Sequence, residues 1–138
     1  MIEDCIFCKI IRGEIPSATI YEDEDFKVIL DISPASRGHA LILTKEHYAN
    51  LYQLPEELAG KVMVLAGKLA SHMTNKLHCD GFNLVQNNGQ VAGQTVFHFH
   101  LHLIPRYKDG DNRDLLTWNQ LTYQDGEVAA LAEMLRLQ

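Results

Sequence analysis

The chain has 138 residues, 46% of them hydrophobic and 22% charged, a size that suits one globular domain with one core. Its 18 acidic and 12 basic residues give a net charge of −6 without a basic run, which argues against binding to polymeric nucleic acid. The apolar stretches are too short to cross a bilayer, the first residues are acidic where a secretory signal is basic, and three cysteines make a poor disulfide framework. We therefore expect a cytoplasmic protein without membrane association.

The N-terminal part of the chain predicts a short helix followed by a strand hairpin. Asp4 is a candidate N-cap for a helix over residues 5–12, and Gly13 would end that helix. Residues 18–23 and 26–32 are two short strand candidates on either side of an acidic turn. This arrangement is typical of an antiparallel pair.

The middle of the chain changes from a strand pattern to a helical one. After a turn cluster at residues 33–38, the short apolar run over residues 39–44 predicts a buried strand. From Pro55 onward, apolar residues recur at steps of three and four, which predicts an amphipathic helix of about five turns. The residues on its apolar side are Leu58, Val62, Leu65, Leu69 and Met73.

The second half of the chain predicts further strands and a final helix. A strand over residues 82–86 is followed by a Gly- and Asn-rich loop and by a long alternating strand over residues 95–104, which Pro105 closes. A weaker helical pattern covers residues 127–137. The element order predicts an α+β fold, mostly an antiparallel sheet packed on one long helix.

Three histidines alternate along the strand predicted over residues 95–104. His98, His100 and His102 would share one face, and Phe99, Leu101 and Leu103 the face toward the core. Seven histidines in this chain would produce roughly 0.02 such triplets by chance. Three interpretations are open: the solvated face of an edge strand, a metal site formed by the triplet itself, and nucleophilic catalysis by a neutral imidazole.

The polar loop before the triplet favours nucleophilic catalysis at a phosphate. Residues 86–95 offer carboxamides, a hydroxyl and two glycines, and such neutral donors can hold the non-bridging oxygens of a phosphate. The alternative is a polar turn without a ligand. We find no carboxylate cluster suited to magnesium near the triplet, so we expect no catalytic metal.

Cys5 and Cys8 have the spacing of half a zinc site. A closed structural site needs two further ligands, which the histidines could supply. The alternatives are a redox dithiol and two ordinary buried cysteines on a helix.

Taken together, these motifs resemble the histidine triad (HIT) family of nucleotide hydrolases and transferases. The similar segments are Asn87, Gly93-Gln94-Thr95-Val96 and residues 98–104, together with residues 26–31, Pro34, residues 38–43 and Lys45-Glu46-His47. The resemblance covers residues 5–106. It implies a single HIT-like α+β domain with a polar C-terminal extension over residues 107–138, and a homodimer.

The resemblance also implies an activity. It implies hydrolysis of nucleoside, usually adenosine, 5′-phosphoramidates or dinucleoside polyphosphates at the α-phosphorus, with release of a nucleoside monophosphate. His100 would be the nucleophile that becomes nucleotidylated. His102 and Thr95 would contact the phosphate, and His39 would support the catalytic histidines.

Three further polar residues match binding positions of the family. Asn87 and Gln94 would lie around the phosphate and the leaving group. Asp31 would accept both ribose hydroxyls, since a carboxylate suits a vicinal diol. The alternative for Asp31 is a local turn bond at the end of a hairpin.

The resemblance to bacterial members implies a structural zinc held by Cys5, Cys8, His47 and His98. His72 lies near the apolar side of the predicted long helix, where a satisfied structural histidine is expected. His78 and Cys79 receive no role.

Two other classes of function remain open. One is a regulatory protein that binds a purine nucleotide with negligible turnover, and the other is a zinc-stabilised interaction module. The leaving group is also open, because Arg106 and Arg113 could attract a polyphosphate against the negative net charge. Family members use the region from Tyr107 onward, which includes Trp118, for substrate choice.

Overall fold

The computed structural model describes residues 3–110 and 119–137, so Arg113 and Trp118 lie outside the described residues. Along the chain the helices and strands follow in this order: α1 (Ile6–Ile11), β1 (Thr19–Glu22), β2 (Phe26–Leu30), β3 (Ala40–Thr44), α2 (Glu56–Leu77), β4 (Gly81–Val85), β5 (His100–Arg106) and α3 (Glu127–Leu135). Short 3₁₀ turns lie before α2 and between β4 and β5.

The five strands form one antiparallel sheet in the order β1-β2-β3-β5-β4. The predicted hairpin is β1 and β2, and β5 lies between β3 and β4. Leu41 of β3 pairs with His102, and Leu43 pairs with His100. The α+β fold with an antiparallel sheet and one long helix is therefore confirmed.

The long helix α2 covers one face of the sheet with the stripe that its periodicity predicts. Apolar side chains from β2, β3 and β5 meet it in the larger core. The fully or nearly buried members are Phe26, Val28, Ala40, Ile42, Leu54, Val62, Leu65, Ala66, Leu69, Met73, Phe99, Leu101 and Leu103. Phe99, Leu101 and Leu103 thus point to this core, as their alternation predicts.

The short helix α1 covers the opposite face. Phe7 and Ile10 pack there against Ile29, Leu41 and Leu43. Because β3 has a helix on both sides, all five of its residues are buried, which explains its continuous apolar run.

The start of α1 differs from the prediction, because the N-cap is Cys5 and not Asp4. The Sγ atom of Cys5 accepts a hydrogen bond from the main-chain N–H of Cys8 at 3.4 Å, which satisfies one of the free amides of the first turn. Asp4 is exposed.

The histidine strand also differs from the prediction, since β5 covers His100–Arg106 where residues 95–104 were expected. Before it, the N–H of Phe99 donates to the carbonyl oxygen of Tyr48, which holds this segment outside the sheet. Pro105 does not end the strand, because β5 pairs with β3 only as far as Leu103 and has a single neighbour beyond that point.

Two further expectations concern helix surfaces. A satisfied structural histidine was expected at position 72, near the apolar side of the helix, but His72 of α2 is exposed and takes no part in the core. The predicted C-terminal helix is present as α3, but none of its residues is buried. Within residues 3–110 and 119–137, no helix has the length and apolarity needed to cross a membrane.

Candidate functional site

A cleft of about 280 Å³ opens between α1 and the sheet, on the face opposite α2. Its apolar wall includes Phe7, Ile10, Ile29 and Leu41. The polar residues that line the same cleft are Ser17, Asp31, Thr95, His100 and His102. Four of the predicted site residues therefore share one cavity, and its chemistry suits a ligand with one flat apolar end and one polar end.

The imidazole of His100 has a fixed orientation. Its Nδ1 lies 2.8 Å from the carbonyl oxygen of His98, and because a carbonyl can only accept, Nδ1 carries the proton. The other ring nitrogen, Nε2, is then left with a lone pair. Phe7 packs edge-on against the ring, with centroids 4.9 Å apart. The arrangement presents a positioned, unprotonated nitrogen, which is what a nucleophile requires.

Burial keeps this imidazole neutral. The side chain of His100 is buried, and desolvation lowers its pKa from the ordinary histidine value, against the opposing effects of the His98 carbonyl and the charge of Asp31. At neutral pH the lone pair of Nε2 is therefore available.

His39 and His102 are linked directly. Nε2 of His39 lies 2.9 Å from Nδ1 of His102, and Nδ1 of His39 accepts the main-chain N–H of Ala35 at 3.0 Å. Burial is the largest effect on both rings, lowering the pKa of His39 and lowering that of His102 to about 4. Both imidazoles are therefore neutral at pH 7.

Asp31 makes the local turn bond and also lines the cleft. Oδ1 accepts the main-chain N–H of Ser33 at 2.8 Å, which is the local turn bond. Oδ2 lies 3.7 Å from Nε2 of His39, and the half-buried carboxylate lines the cleft. Each carboxylate oxygen has two lone pairs, so the turn bond leaves acceptor capacity for a ligand.

The loop residues Gln94, Thr95 and Asn87 lie in three different environments. Thr95 is exposed and lines the cleft. Gln94 is buried, and its carboxamide accepts from the N–H of Gly89 and donates to the carbonyl oxygens of Ala49 and Val96. Both amide protons of Gln94 are thus used within the protein, so this residue holds the loop in place.

Asn87 lies beside Gly93 and does not line the cleft. A Cβ atom on Gly93 would come within 3.6 Å of Asn87 Nδ2, and Gly93 has a φ of +101°, a conformation that other residues rarely adopt. Asn87 and Gly93 therefore shape the turn that leads to Thr95.

A second cluster lies on the other side of Phe7. Cys5, Cys8, His47 and His98 each offer one ligand atom, and these four atoms lie within 4.8 Å of one another. Nδ1 of His98 lies 3.3 Å from Cys5 Sγ, 3.5 Å from Cys8 Sγ and 3.2 Å from His47 Nδ1, and Cys8 Sγ lies 3.4 Å from His47 Nδ1. In a tetrahedral zinc site, bonds of about 2.1 Å to nitrogen and 2.3 Å to sulfur place such atoms about 3.4 to 3.8 Å apart, close to these distances. The four residues are thus close enough to bind a metal.

The tautomer of His98 fits this purpose. Its Nε2 lies 2.6 Å from the carbonyl oxygen of Thr44, so Nε2 carries the proton and Nδ1 has the lone pair. One nitrogen lone pair cannot make separate hydrogen bonds to two sulfurs and a second imidazole. A cation at the centre would satisfy all four groups, and the Thr44 carbonyl orients the ring as outer-shell acceptors do.

Sequence reasoning missed the main-chain groups that orient the histidines. The Ala35 amide, the Thr44 carbonyl and the His98 carbonyl each fix a ring, and no side-chain motif marks them. Phe7, the aromatic residue between the two clusters, was also missed, although its position between Cys5 and Cys8 in Cys-Ile-Phe-Cys could have indicated it.

Residues 12–109 of the chain match the HIT domain. The chain belongs to the HIT family. Over 109 residues it is 48% identical to Protein hit of Bacillus subtilis, an alignment that covers 79% of this chain and 75% of that protein. The crystal structure of a member of the HIT family from Bacillus subtilis is similar with a TM-score of 0.90 and 40% identity, and the alignment covers 99% of both chains.

Among the relatives is a protein named for a reaction. The chain is 48% identical over 102 residues to adenosine 5′-monophosphoramidase HNT1 of Saccharomyces cerevisiae. That alignment covers 74% of this chain and 62% of the yeast protein. This similarity supports a hydrolase that acts on nucleotides.

Proposed function

We propose that this HIT protein hydrolyses adenosine 5′-phosphoramidates at the α-phosphorus through a covalent intermediate on His100. The observation that carries the proposal is the pair of His100 contacts: Nδ1 bonded to the His98 carbonyl, and the ring on the wall of the cleft. The name of the yeast relative supports the phosphoramidate class. Dinucleoside polyphosphates are the second substrate class of this proposal.

The nucleoside occupies the cleft in the orientation that its walls favour. The base packs on Phe7, Ile10, Ile29 and Leu41, which are apolar contacts that any purine can use. Asp31 accepts the two ribose hydroxyls. This leaves the α-phosphate among His100, His102 and Thr95.

The reaction takes two steps. Nε2 of His100 attacks phosphorus, the P–N bond breaks with its electron pair on the leaving nitrogen, and that nitrogen takes a proton from solvent. The proton stays on Nδ1 of His100, where it donates to the His98 carbonyl, so the ring of the intermediate is an imidazolium. Water then attacks phosphorus, the electron pair returns to Nε2, and the water proton goes to solvent with release of AMP.

Neutral donors hold the phosphate oxygens during both steps. His102 donates to these oxygens from its ring and Thr95 from its hydroxyl. Gln94 and Asn87 act on the phosphate indirectly in this proposal, by fixing the loop that carries Thr95.

The metal in the Cys5, Cys8, His47 and His98 cluster is zinc in this proposal. Two thiolates and two imidazoles are a ligand set that zinc prefers, and a site with four protein ligands is structural. Zinc bound there ties α1 to the segment before β5 and takes no part in the chemical steps.

A homodimer and a cytoplasmic location remain predictions from the family resemblance and the composition. The unburied α3, with Val128 57%, Met134 71% and Leu135 71% exposed, supports association with a second copy.

Trapping of the intermediate tests the function. The chain is mixed with adenosine 5′-phosphoramidate, quenched at alkaline pH to preserve the acid-labile bond, and digested for mass spectrometry. We expect adenylate on the peptide that carries His100 and AMP in solution. Tight nucleotide binding without adenylate or AMP would instead identify a regulatory nucleotide-binding protein.

A further inference from the structure

The main-chain amide of Ala35 contacts a histidine outside the triad. This N–H donates to Nδ1 of His39 at 3.0 Å, and the same ring reaches Nδ1 of His102 through its Nε2 at 2.9 Å. His39 is itself held at both ends, because its N–H donates to the Ser36 carbonyl and its carbonyl accepts from the Asp31 N–H. Ala35 therefore contacts the site from the loop between β2 and β3.

A neutral imidazole has one donor nitrogen and one acceptor nitrogen, so these contacts fix both rings in turn. Nδ1 of His39 accepts from Ala35, and the proton of His39 must lie on Nε2. Nε2 donates to Nδ1 of His102, and the proton of His102 must then lie on its own Nε2. His102 lines the cleft, and Nε2 is the only ring nitrogen that it has left for a ligand.

We propose that the Ala35 amide is a positioning group that fixes His102 as a neutral Nε2–H donor for a phosphate oxygen. This role rests on the proposed function of the cleft. In this role His102 donates a hydrogen bond but does not transfer its proton, since loss of the Nε2 proton would leave a buried imidazolate. His100 has the opposite tautomer, because its Nδ1 faces a carbonyl and its Nε2 is bare.

The same contacts argue against a metal ion at this end of the cleft. Asp31, His39 and His102 bring three potential ligand atoms together, which by distance alone could hold a cation. A metal there would need the lone pair of His39 Nε2, while Nδ1 of the same ring is already accepting from Ala35. A ring with both nitrogens unprotonated is an imidazolate, whereas a proton on Nε2 satisfies both neighbours.

The contrast with His98 follows the same rule. There a main-chain carbonyl, that of Thr44, accepts the ring proton and leaves a bare nitrogen for a metal. At His39 the main-chain N–H of Ala35 donates to the unprotonated nitrogen, Nδ1, so the ring proton lies on Nε2. The main-chain carbonyl that meets His98 thus favours a cation in the Cys and His cluster. The main-chain N–H that meets His39 favours a hydrogen-bonded chain from His39 to His102.

Ring tautomers are measured directly by long-range ¹H–¹⁵N correlation on the full chain labelled with ¹⁵N-histidine, at pH 7 and without nucleotide. We expect His39 and His102 in the Nε2–H form and His100 in the Nδ1–H form. His39→Gln and His102→Gln spectra assign the two rings. A proton on Nδ1 of His39 or of His102 would overturn the inference, whatever the activity of the protein.

A matched pair of variants tests the amide itself. Ala35→Pro removes the N–H, and Ala35→Gly keeps it. In Ala35→Pro we expect Nδ1-protonated forms of His39 and His102, and a kcat lowered at least about tenfold with a smaller change in KM, as for other donors to a reacting phosphate. Ala35→Gly should retain the wild-type tautomers and rate. Unchanged tautomers in a folded Ala35→Pro variant would contradict the role.

The two proposals fail separately. Wild-type protein that releases no AMP while His39 and His102 show the Nε2–H form would remove the hydrolase and leave the tautomer assignment intact. AMP release with His39 protonated on Nδ1 would remove the Ala35 role alone. If Ala35→Pro does not fold, the wild-type spectrum still tests the inference, because a proton on Nδ1 of His39 or of His102 would overturn it.

Discussion

The carbonyl oxygen of His98 accepts a hydrogen bond from Nδ1 of His100 at 2.8 Å, while the imidazole of His98 belongs to the Cys and His cluster. One residue therefore belongs to both sites, its side chain to the metal cluster and its main chain to the nucleophile. Phe7 packs edge-on against both imidazoles from α1, with centroids 5.9 Å from His98 and 4.9 Å from His100. We infer that a metal at His98 preserves the orientation of His100 without taking part in the reaction.

Metal content and stability test this inference. We expect about one zinc per chain in protein prepared under reducing conditions, and a lower Tm after chelation before the initial rate falls. Cys8→Ser should lose the zinc and lower the Tm, whereas Cys79→Ser, whose thiol donates to Thr74 Oγ1 away from this cluster, should do neither. Reversible inactivation by a chelator at an unchanged Tm would point to a catalytic metal and contradict the structural role.

Replacement of His100 tests the nucleophile. His100→Ala should lower kcat by several orders of magnitude, as loss of a covalent nucleophile does in other hydrolases, and keep a cooperative thermal transition. His72→Ala serves as the matched control, because His72 is exposed on α2 outside the cleft. Steady-state AMP release and circular dichroism of both variants give the comparison. A His100→Ala rate near that of wild type would exclude the covalent mechanism.

Ribose recognition by Asp31 predicts discrimination between ribo- and deoxyribonucleotides. A hydrogen bond to a charged group contributes about 1.5 to 3 kcal/mol, so wild-type protein should prefer adenosine over 2′-deoxyadenosine phosphoramidate by about 10- to 100-fold in kcat/KM. Asp31→Asn should reduce this ratio, even if it also slows both substrates through His39. If the ratio is unchanged in Asp31→Asn, the carboxylate makes only its turn bond to Ser33.

The depressed pKa of His102 predicts how stability depends on pH. Burial lowers the pKa of His102 from its ordinary value of 6.5 to about 4, so between these values the unfolded chain binds a proton that the folded chain does not. Stability should then fall as the pH decreases from 6.5 to 4 and stay level for this group above that window. Thermal unfolding of His102→Gln should show a shallower slope with pH than that of wild type. Equal slopes in wild type and His102→Gln would contradict this titration.

The lining of the cleft predicts the preferred leaving group. No Lys or Arg lines it within the described part of the chain, and the net charge is −6. Amine leaving groups should therefore be favoured over anionic ones, with a higher kcat/KM for adenosine 5′-phosphoramidate than for diadenosine tri- or tetraphosphate. Kinetics at two ionic strengths check this order. Better turnover of polyphosphates, with an advantage that salt abolishes, would show attraction by a basic patch elsewhere.

The sequence determined most of the fold, because its signals are local. The alternation of His and apolar residues in β5, the helical period of α2 and the apolar run of β3 each depend on spacing along one segment. The spacing of Cys5 and Cys8 also predicted half of a metal site, but the full set of four ligands was implied only by the family resemblance. The predicted strand boundaries were less exact. The hydrogen bond from Phe99 to Tyr48 keeps residues before His100 out of β5, and because β5 pairs only with β4 beyond Leu103, the strand continues through Pro105.

Tertiary structure alone decided the protonation of the site. The amino-acid sequence does not distinguish the two tautomers of a neutral histidine. Which tautomer forms depends on whether a main-chain donor or a main-chain acceptor from another segment contacts the ring. The Thr44 carbonyl frees Nδ1 of His98 for a metal, and the His98 carbonyl frees Nε2 of His100. The Ala35 amide occupies Nδ1 of His39. Every residue carries these same main-chain groups, so only the folded arrangement shows which ones reach a ring.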